Sequence, residues 1–202
     1  MVQTYLVLDS PITKNPRAGK YWGIDASIRY GSGQGGASVG LTNTTAGIVD
    51  TGTTLVYLST GKLLHDSMLL PDICGTQTHK HPTTLDAYNQ YAEATGGVLD
   101  SKTNLLRITE AQYNNLQSLY FHISGETFEL TANAQIWQRE HNTAIQGDTD
   151  SIYLAVQDIV HVYPGLGFLC GMTFLERVYT VFDTGNHRIG LARTPFTNAT
   201  TN

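Results

Sequence analysis

From Trp22 the even positions Trp22, Ile24, Ala26, Ile28 and Tyr30 are apolar or small, a period of two that predicts a strand with one buried face. The glycine-rich run Gly31 to Gly36 interrupts it. Such a cluster cradles phosphate only when a helix opens directly behind it, and Ala37 to Thr45 has no helical period, so a hairpin loop is expected. Ile48-Val49 predicts a short strand leading into Asp50-Thr51-Gly52-Thr53-Thr54, after which Leu55-Val56-Tyr57-Leu58 resumes the apolar run. A polar element is thus expected at a bend in buried structure. From Lys62 to Pro82 the pattern dissolves. Leu85, Tyr88, Tyr91 and Ala92 then recur at helical spacing, opened by Thr84 and closed by Gly96-Gly97. A second helix is predicted from Thr109, whose box with Gln112 caps it before Tyr113, Leu116 and Leu119. Phe121 to Leu130 reads as a hairpin about Ser124-Gly125, followed by strands at Gln135 to Trp137 and Ile152 to Val156 and a last hairpin from Tyr179 to Ala192. The expected fold class is all-β with a few short helices, in one domain with no internal repeat or linker.

Composition agrees: 202 residues with 41% hydrophobic content can bury one core. The net charge of −5, with 12 Lys and Arg scattered along the chain, leaves no basic stripe to neutralise phosphates, so nucleic acid is not an expected partner. No apolar run is long enough to span a bilayer, which sets a membrane role aside. Met1 to Ser10 lacks the basic, apolar and small-residue segments of a signal peptide. Asn43-Thr44-Thr45 and Asn198-Ala199-Thr200 are acceptor triplets for N-linked sugar, a weak pointer to an extracellular setting. Two cysteines, Cys74 and Cys170, leave compartment and pairing open.

Asp-Thr-Gly at 50–52 is a short motif, and its surroundings give it weight. Ala46-Gly47-Ile48-Val49 precedes it and Thr53-Thr54-Leu55 follows. A carboxylate planted among apolar strands is costly unless its oxygens accept hydrogen bonds. The hydroxyls of Thr51 and Thr53 and nearby backbone N–H groups are the candidate donors, and Gly52 permits close approach.

Several segments in order resemble the carboxy-terminal lobe of the pepsin-like aspartic peptidases. Tyr21-Trp22-Gly23-Ile24 resembles the strand that opens that lobe, Ala46 to Leu55 its catalytic loop, and Leu169-Cys170-Gly171 the strand that completes the ψ-shaped active-site loop. Phe174 to Asp183, with Asn186, Ile189-Gly190 and Ala192, resembles the closing helix and hairpin. Leu105 to Arg107, Ala111 to Tyr113 and Phe128 to Trp137 resemble the polyporopepsin type of wood-rotting fungi. The resemblance implies secretion, a polypeptide substrate, no metal or cofactor, and Asp50 as one of two aspartates that activate a water at acid pH. It further implies that Thr51 fastens two lobes together and that Thr53 bonds the Asp50 carboxylate. Gly52, Thr53 and Thr54 would line the substrate strand, Tyr21 and Ile48 its pocket walls, and Gly171 would support the loop.

The family carries its other aspartate and its flap on an amino-terminal lobe, which has no counterpart here. The expectation is therefore a half-site, active only with a second lobe or in a homodimer. The alternative is a catalytically silent peptide- or partner-binding lobe, or a truncated gene product. A second Asp-Thr-Gly at 183–185 sits where a tight turn favours Asp and Gly, and is expected to be structural. Residues 62–82 form an atypical insert carrying Cys74, His79 and His81, whose spacing fits no common zinc site. His65, His122, His141, His161 and His187 are scattered, and Cys170, between Phe168-Leu169 and Gly171, is expected to be a buried small hydrophobe.

Overall fold

The structure, a computed structural model, describes residues 8–31, 38–60, 86–159 and 165–200. In chain order these form β1 (Leu8–Pro11), β2 (Gly23–Tyr30), β3 (Val39–Val49), β4 (Val56–Leu58), α1 (Ala87–Thr95), β5 (Val98–Leu99), β6 (Leu106–Ile108), α2 (Glu110–Asn114), β7 (Leu119–Ile123) and β8 (Glu126–Leu130). They continue with β9 (Ile152–Tyr153), β10 (Val156–Asp158), β11 (Phe168–Cys170), α3 (Met172–Leu175), β12 (Val178–Asp183) and β13 (Arg188–Arg193). A seven-stranded sheet runs β10-β4-β11-β3-β2-β7-β8, flanked by the three-stranded sheets β1-β13-β12 and β5-β6-β9.

The period of two at β2 is realised: Ile24, Ala26, Ile28 and Tyr30 are buried while Asp25 is exposed. β2 pairs antiparallel with β3; residues 32–37, within the expected hairpin loop, lie outside the described residues. One irregularity sets Ser27 against both Asn43 and Thr44, a β-bulge. The end of β3, Ala46 to Val49, and β11 read as continuous apolar runs because both of their faces are covered. On one face Val49, Phe168 and Cys170 join the main core; on the other Ile48 and Leu169 pack with Ala18, Ala46, Ile159 and Leu166. Phe121 meets Phe168 and Phe174 edge-on, with ring centroids 6.2 and 5.2 Å apart, and so ties β7 to β11 and α3.

α1 ends as expected: Gly96 takes φ +66° and the Gly97 N–H returns to the Ala92 carbonyl. Its expected opener, Thr84, lies outside the described residues, as do Leu85 and the 62–82 insert. The capping box of α2 is complete, Thr109 Oγ1 accepting from Gln112 N–H and Gln112 Oε1 from Thr109 N–H. The helix stops at Asn114, however, and Leu119 already belongs to β7. The Ser124-Gly125 hairpin forms, with φ +47° and +90° at its turn. The strand expected at Gln135 to Trp137 is instead a 3₁₀ turn over Asn133–Gln135 and a single bridge from Ile136 to Leu154. Around that bridge Ala155 N–H donates to the Gln135 carbonyl and Trp137 N–H to the Tyr153 carbonyl, so the pairing is present but short. The buried Gln135 side chain donates to the carbonyls of Gln117, Leu130 and Thr131 and accepts from the Tyr91 hydroxyl.

Candidate active site

β3 and β4 are joined by residues 50–55, yet they do not pair with each other. β11 lies between them, parallel to β3 (Leu169 opposite Ile48) and antiparallel to β4 (Leu169 opposite Tyr57). This insertion carries the backbone of Asp50 to β11, where its N–H donates to the Cys170 carbonyl at 3.0 Å. Beyond β11 the chain turns into α3, whose first N–H groups lack partners in their own helix. The site loop supplies them: Met172 N–H donates to the Thr53 carbonyl at 2.8 Å, and Thr173 N–H and Oγ1–H both donate to the Thr54 carbonyl at 2.9 Å. Gly171 lies at the contact, and a Cβ there would collide with the Thr53 and Leu55 carbonyl oxygens.

Within this clamp the Asp50 carboxylate is half-buried and doubly held. Oδ1 accepts from Gly52 N–H at 2.9 Å and Oδ2 from the Thr53 hydroxyl at 2.6 Å. Thr51, Gly52 and Thr54 are exposed around it. Val49 N–H donates to the Trp22 carbonyl, which brings Tyr21, 54% exposed, to the same end of the sheet as Asp50. Ile48 borders neither of the hollows formed by the described residues beside the loop. It is 2% exposed and packs beneath the loop, because the alternation that leaves Val49 in the main core turns Ile48 into the smaller cluster.

Among the described residues, two hollows that adjoin the loop stand out. One of about 390 Å³ runs along Gly52, Thr53 and Leu55 to Thr103, Leu105 and Trp137. The other, of about 210 Å³, lies between Thr54, Trp137, His141, Glu176 and Arg177. Trp137 borders both, and its buried Nε1–H has no acceptor among the described residues. The sequence offered no signal for Thr103, Leu105 or Trp137 as walls, since each is separated from the loop by scores of residues.

The sequence model of the eukaryotic aspartyl protease family matches residues 10–194. The chain belongs to that family. Polyporopepsin of Irpex lacteus is 49% identical over 194 residues, which are 96% of this chain and 48% of polyporopepsin. The crystal structure of the aspartic proteinase from Irpex lacteus matches with a TM-score of 0.80 at 47% identity, over 100% of this chain and 52% of that one. The chain thus spans about half the length of these relatives, and its mostly β architecture corresponds to a single lobe of the aspartic protease fold.

The second Asp-Thr-Gly of this aspartic protease chain lies apart from the first, in the turn between β12 and β13. Asp183 accepts from Asn186 N–H, Asn186 Nδ2 and Arg188 Nε at 3.0, 2.7 and 2.8 Å, and Arg188 also pairs with Asp9. Hydrogen bonds from Asn186 and then Arg188 hold its carboxyl at about 2. Both oxygens are thereby committed to the turn, and among the described residues the donors to the Asp50 carboxylate, Gly52 N–H and the Thr53 hydroxyl, lie within its own loop. Cys170 is buried and unbridged, and burial pushes its thiol up, away from the reactive thiolate. Among the described residues no three His, Cys, Asp or Glu side chains gather as a metal site, and no helix is long and apolar enough to cross a membrane. Cys74, His65, His79, His81 and His161 lie outside the described residues.

Proposed function

We propose that the chain is a carboxy-terminal-type lobe of a secreted aspartic endopeptidase, supplying one of two aspartates that hydrolyse polypeptides at acid pH. The observation that supports this reading is the fixed Asp50 carboxylate, each oxygen held by a donor of its own loop. A second carboxylate brought alongside shares a water with it. Two acids so close do not readily ionise together, so one stays protonated. The charged one takes a proton from the water as its oxygen attacks the peptide carbonyl carbon, while the protonated one donates to the carbonyl oxygen. The tetrahedral adduct collapses when the leaving amine receives a proton. Thr51, exposed beside Asp50, is the residue that would fasten a second lobe. That lobe is a family counterpart, or a second copy of this chain across a twofold axis.

The test is cleavage of an unstructured protein at about pH 3–5, by the chain alone and with a separately expressed amino-terminal lobe of polyporopepsin. Pepstatin-sensitive cleavage that vanishes in Asp50→Asn is the expected result. Cleavage that survives Asp50→Asn, or none under either condition, overturns the reading. Because Asp50 has no second carboxylate among its partners in the described residues, a silent peptide-binding lobe is the competing reading. Peptide binding without turnover, unaffected by Asp50→Asn, selects it.

A further inference from the structure

Phe196 is 70% exposed, the barest large apolar side chain among the described residues. It opens Phe196-Thr197-Asn198-Ala199-Thr200, which lies beyond the residues matched by the family model. Ala199 N–H donates to the Phe196 carbonyl at 3.0 Å, closing a four-residue turn with Asn198 at its third position. The turn is pinned from inside. Thr197 is buried, its hydroxyl donating to the Arg177 carbonyl at 2.6 Å and accepting from Thr194 N–H at 2.8 Å. The Arg177 guanidinium donates to the Ala199 carbonyl at 2.7 Å. With Thr197 held inward, Phe196, Asn198 and Thr200 are all exposed.

We propose that Asn198 carries an N-linked glycan whose first N-acetylhexosamine rests on the Phe196 ring. An aromatic face is electronegative, and the C–H groups on the apolar face of a pyranose are its complement. The turn supplies both partners, two residues apart and in solvent. In the transfer, the Asn198 amide nitrogen bonds to C1 of an oligosaccharide carried on a polyprenyl diphosphate. The bond from C1 to the diphosphate oxygen breaks, the lipid diphosphate leaves and one amide proton passes to a base of the transferase, with no change in oxidation state. Asn43, the acceptor of the other triplet, is exposed on the β3 bulge, but the residue two places before it, Leu41, is buried, so no such platform stands there.

The inference rests on passage of the chain through a secretory pathway, and the experiment supplies that passage. The full chain is expressed in yeast behind a cleavable leader. Asn198 occupancy is read in membrane and medium fractions by peptide mass after glycosidase release in heavy-oxygen water. Asn198 is expected to be labelled, and the label to be lost in Thr200→Ala, which changes one exposed side chain. Deglycosylation should lower the Tm of the unaltered chain by about 2–4 °C, and Phe196→Ser should reduce both occupancy and this shift. An unmodified Asn198 in the membrane fraction overturns the site. Occupancy and Tm response unchanged by Phe196→Ser overturn the platform. Since the leader is added, neither outcome depends on the peptidase reading or on the protein's own compartment.

Discussion

Asp50 is tolerated at the end of buried strands because Gly52 N–H and the Thr53 hydroxyl take up its two oxygens. Thr53→Val keeps the shape of the side chain and removes the donor at 2.6 Å. A hydrogen bond to a charged group contributes about 1.5–3 kcal/mol, so kcat in the assembled site should fall roughly 10- to 100-fold. Thr53→Ser should restore most of it, and steady-state kinetics of the two variants check the pair. At this scale the hydrogen bonding of the carboxylate was legible, since acid, glycine and hydroxyl lie within four positions of one another. Burial was not legible. Ile48 stands two residues from Asp50 and yet faces away into a second cluster, because covering both faces of β3 erases the alternation from which a reader infers exposure.

The β12-β13 hairpin shows how an element can be read from its turn. Asp183 is held at about 2 by Asn186 and Arg188, below the usual carboxylate range of about 4. The folded state therefore favours its ionised form. The contribution is complete above about pH 4 and is lost as pH falls through about 2. Asp183→Asn should remove that dependence, so thermal unfolding followed from pH 5 to pH 1.5 should show a steeper decline for the unaltered chain. At the acid pH of the proposed reaction, the hairpin keeps its charge. The turn at Asn133–Gln135 is the opposite case, an element whose side-chain partners reach as far as Tyr91. Gln135→Leu strips donors from three carbonyls and an acceptor from Tyr91. It should cost at least about 1–3 kcal/mol, read as a lower urea midpoint at unchanged m-value.

At the scale of the whole molecule, the chain spans about half the length of its relatives, and the proposed site needs a second carboxylate. If a copy of the chain supplies it, cleavage per chain should rise with chain concentration until dimers saturate. If a different lobe does, titrating that lobe at fixed chain concentration should raise the rate. Initial rates paired with sedimentation velocity distinguish the two.

The strand at 23–30, the capping box at Thr109, the Ser124-Gly125 and Asp183 turns and the local donors to the Asp50 carboxylate could all be read along the chain. Each depends on residues a few positions apart, and such spacings are written directly into sequence. The entry of β11 between β3 and β4 could not be read this way, nor could Thr173 meeting the Thr54 carbonyl from 119 residues away. The buried hub at Gln135 and the Trp137 wall were equally hidden. Periodicity reports that a residue faces something but not what it faces. The partner is chosen by long-range strand pairing and packing, and it is those contacts that turn the Asp50 loop from a motif into a clamped carboxylate.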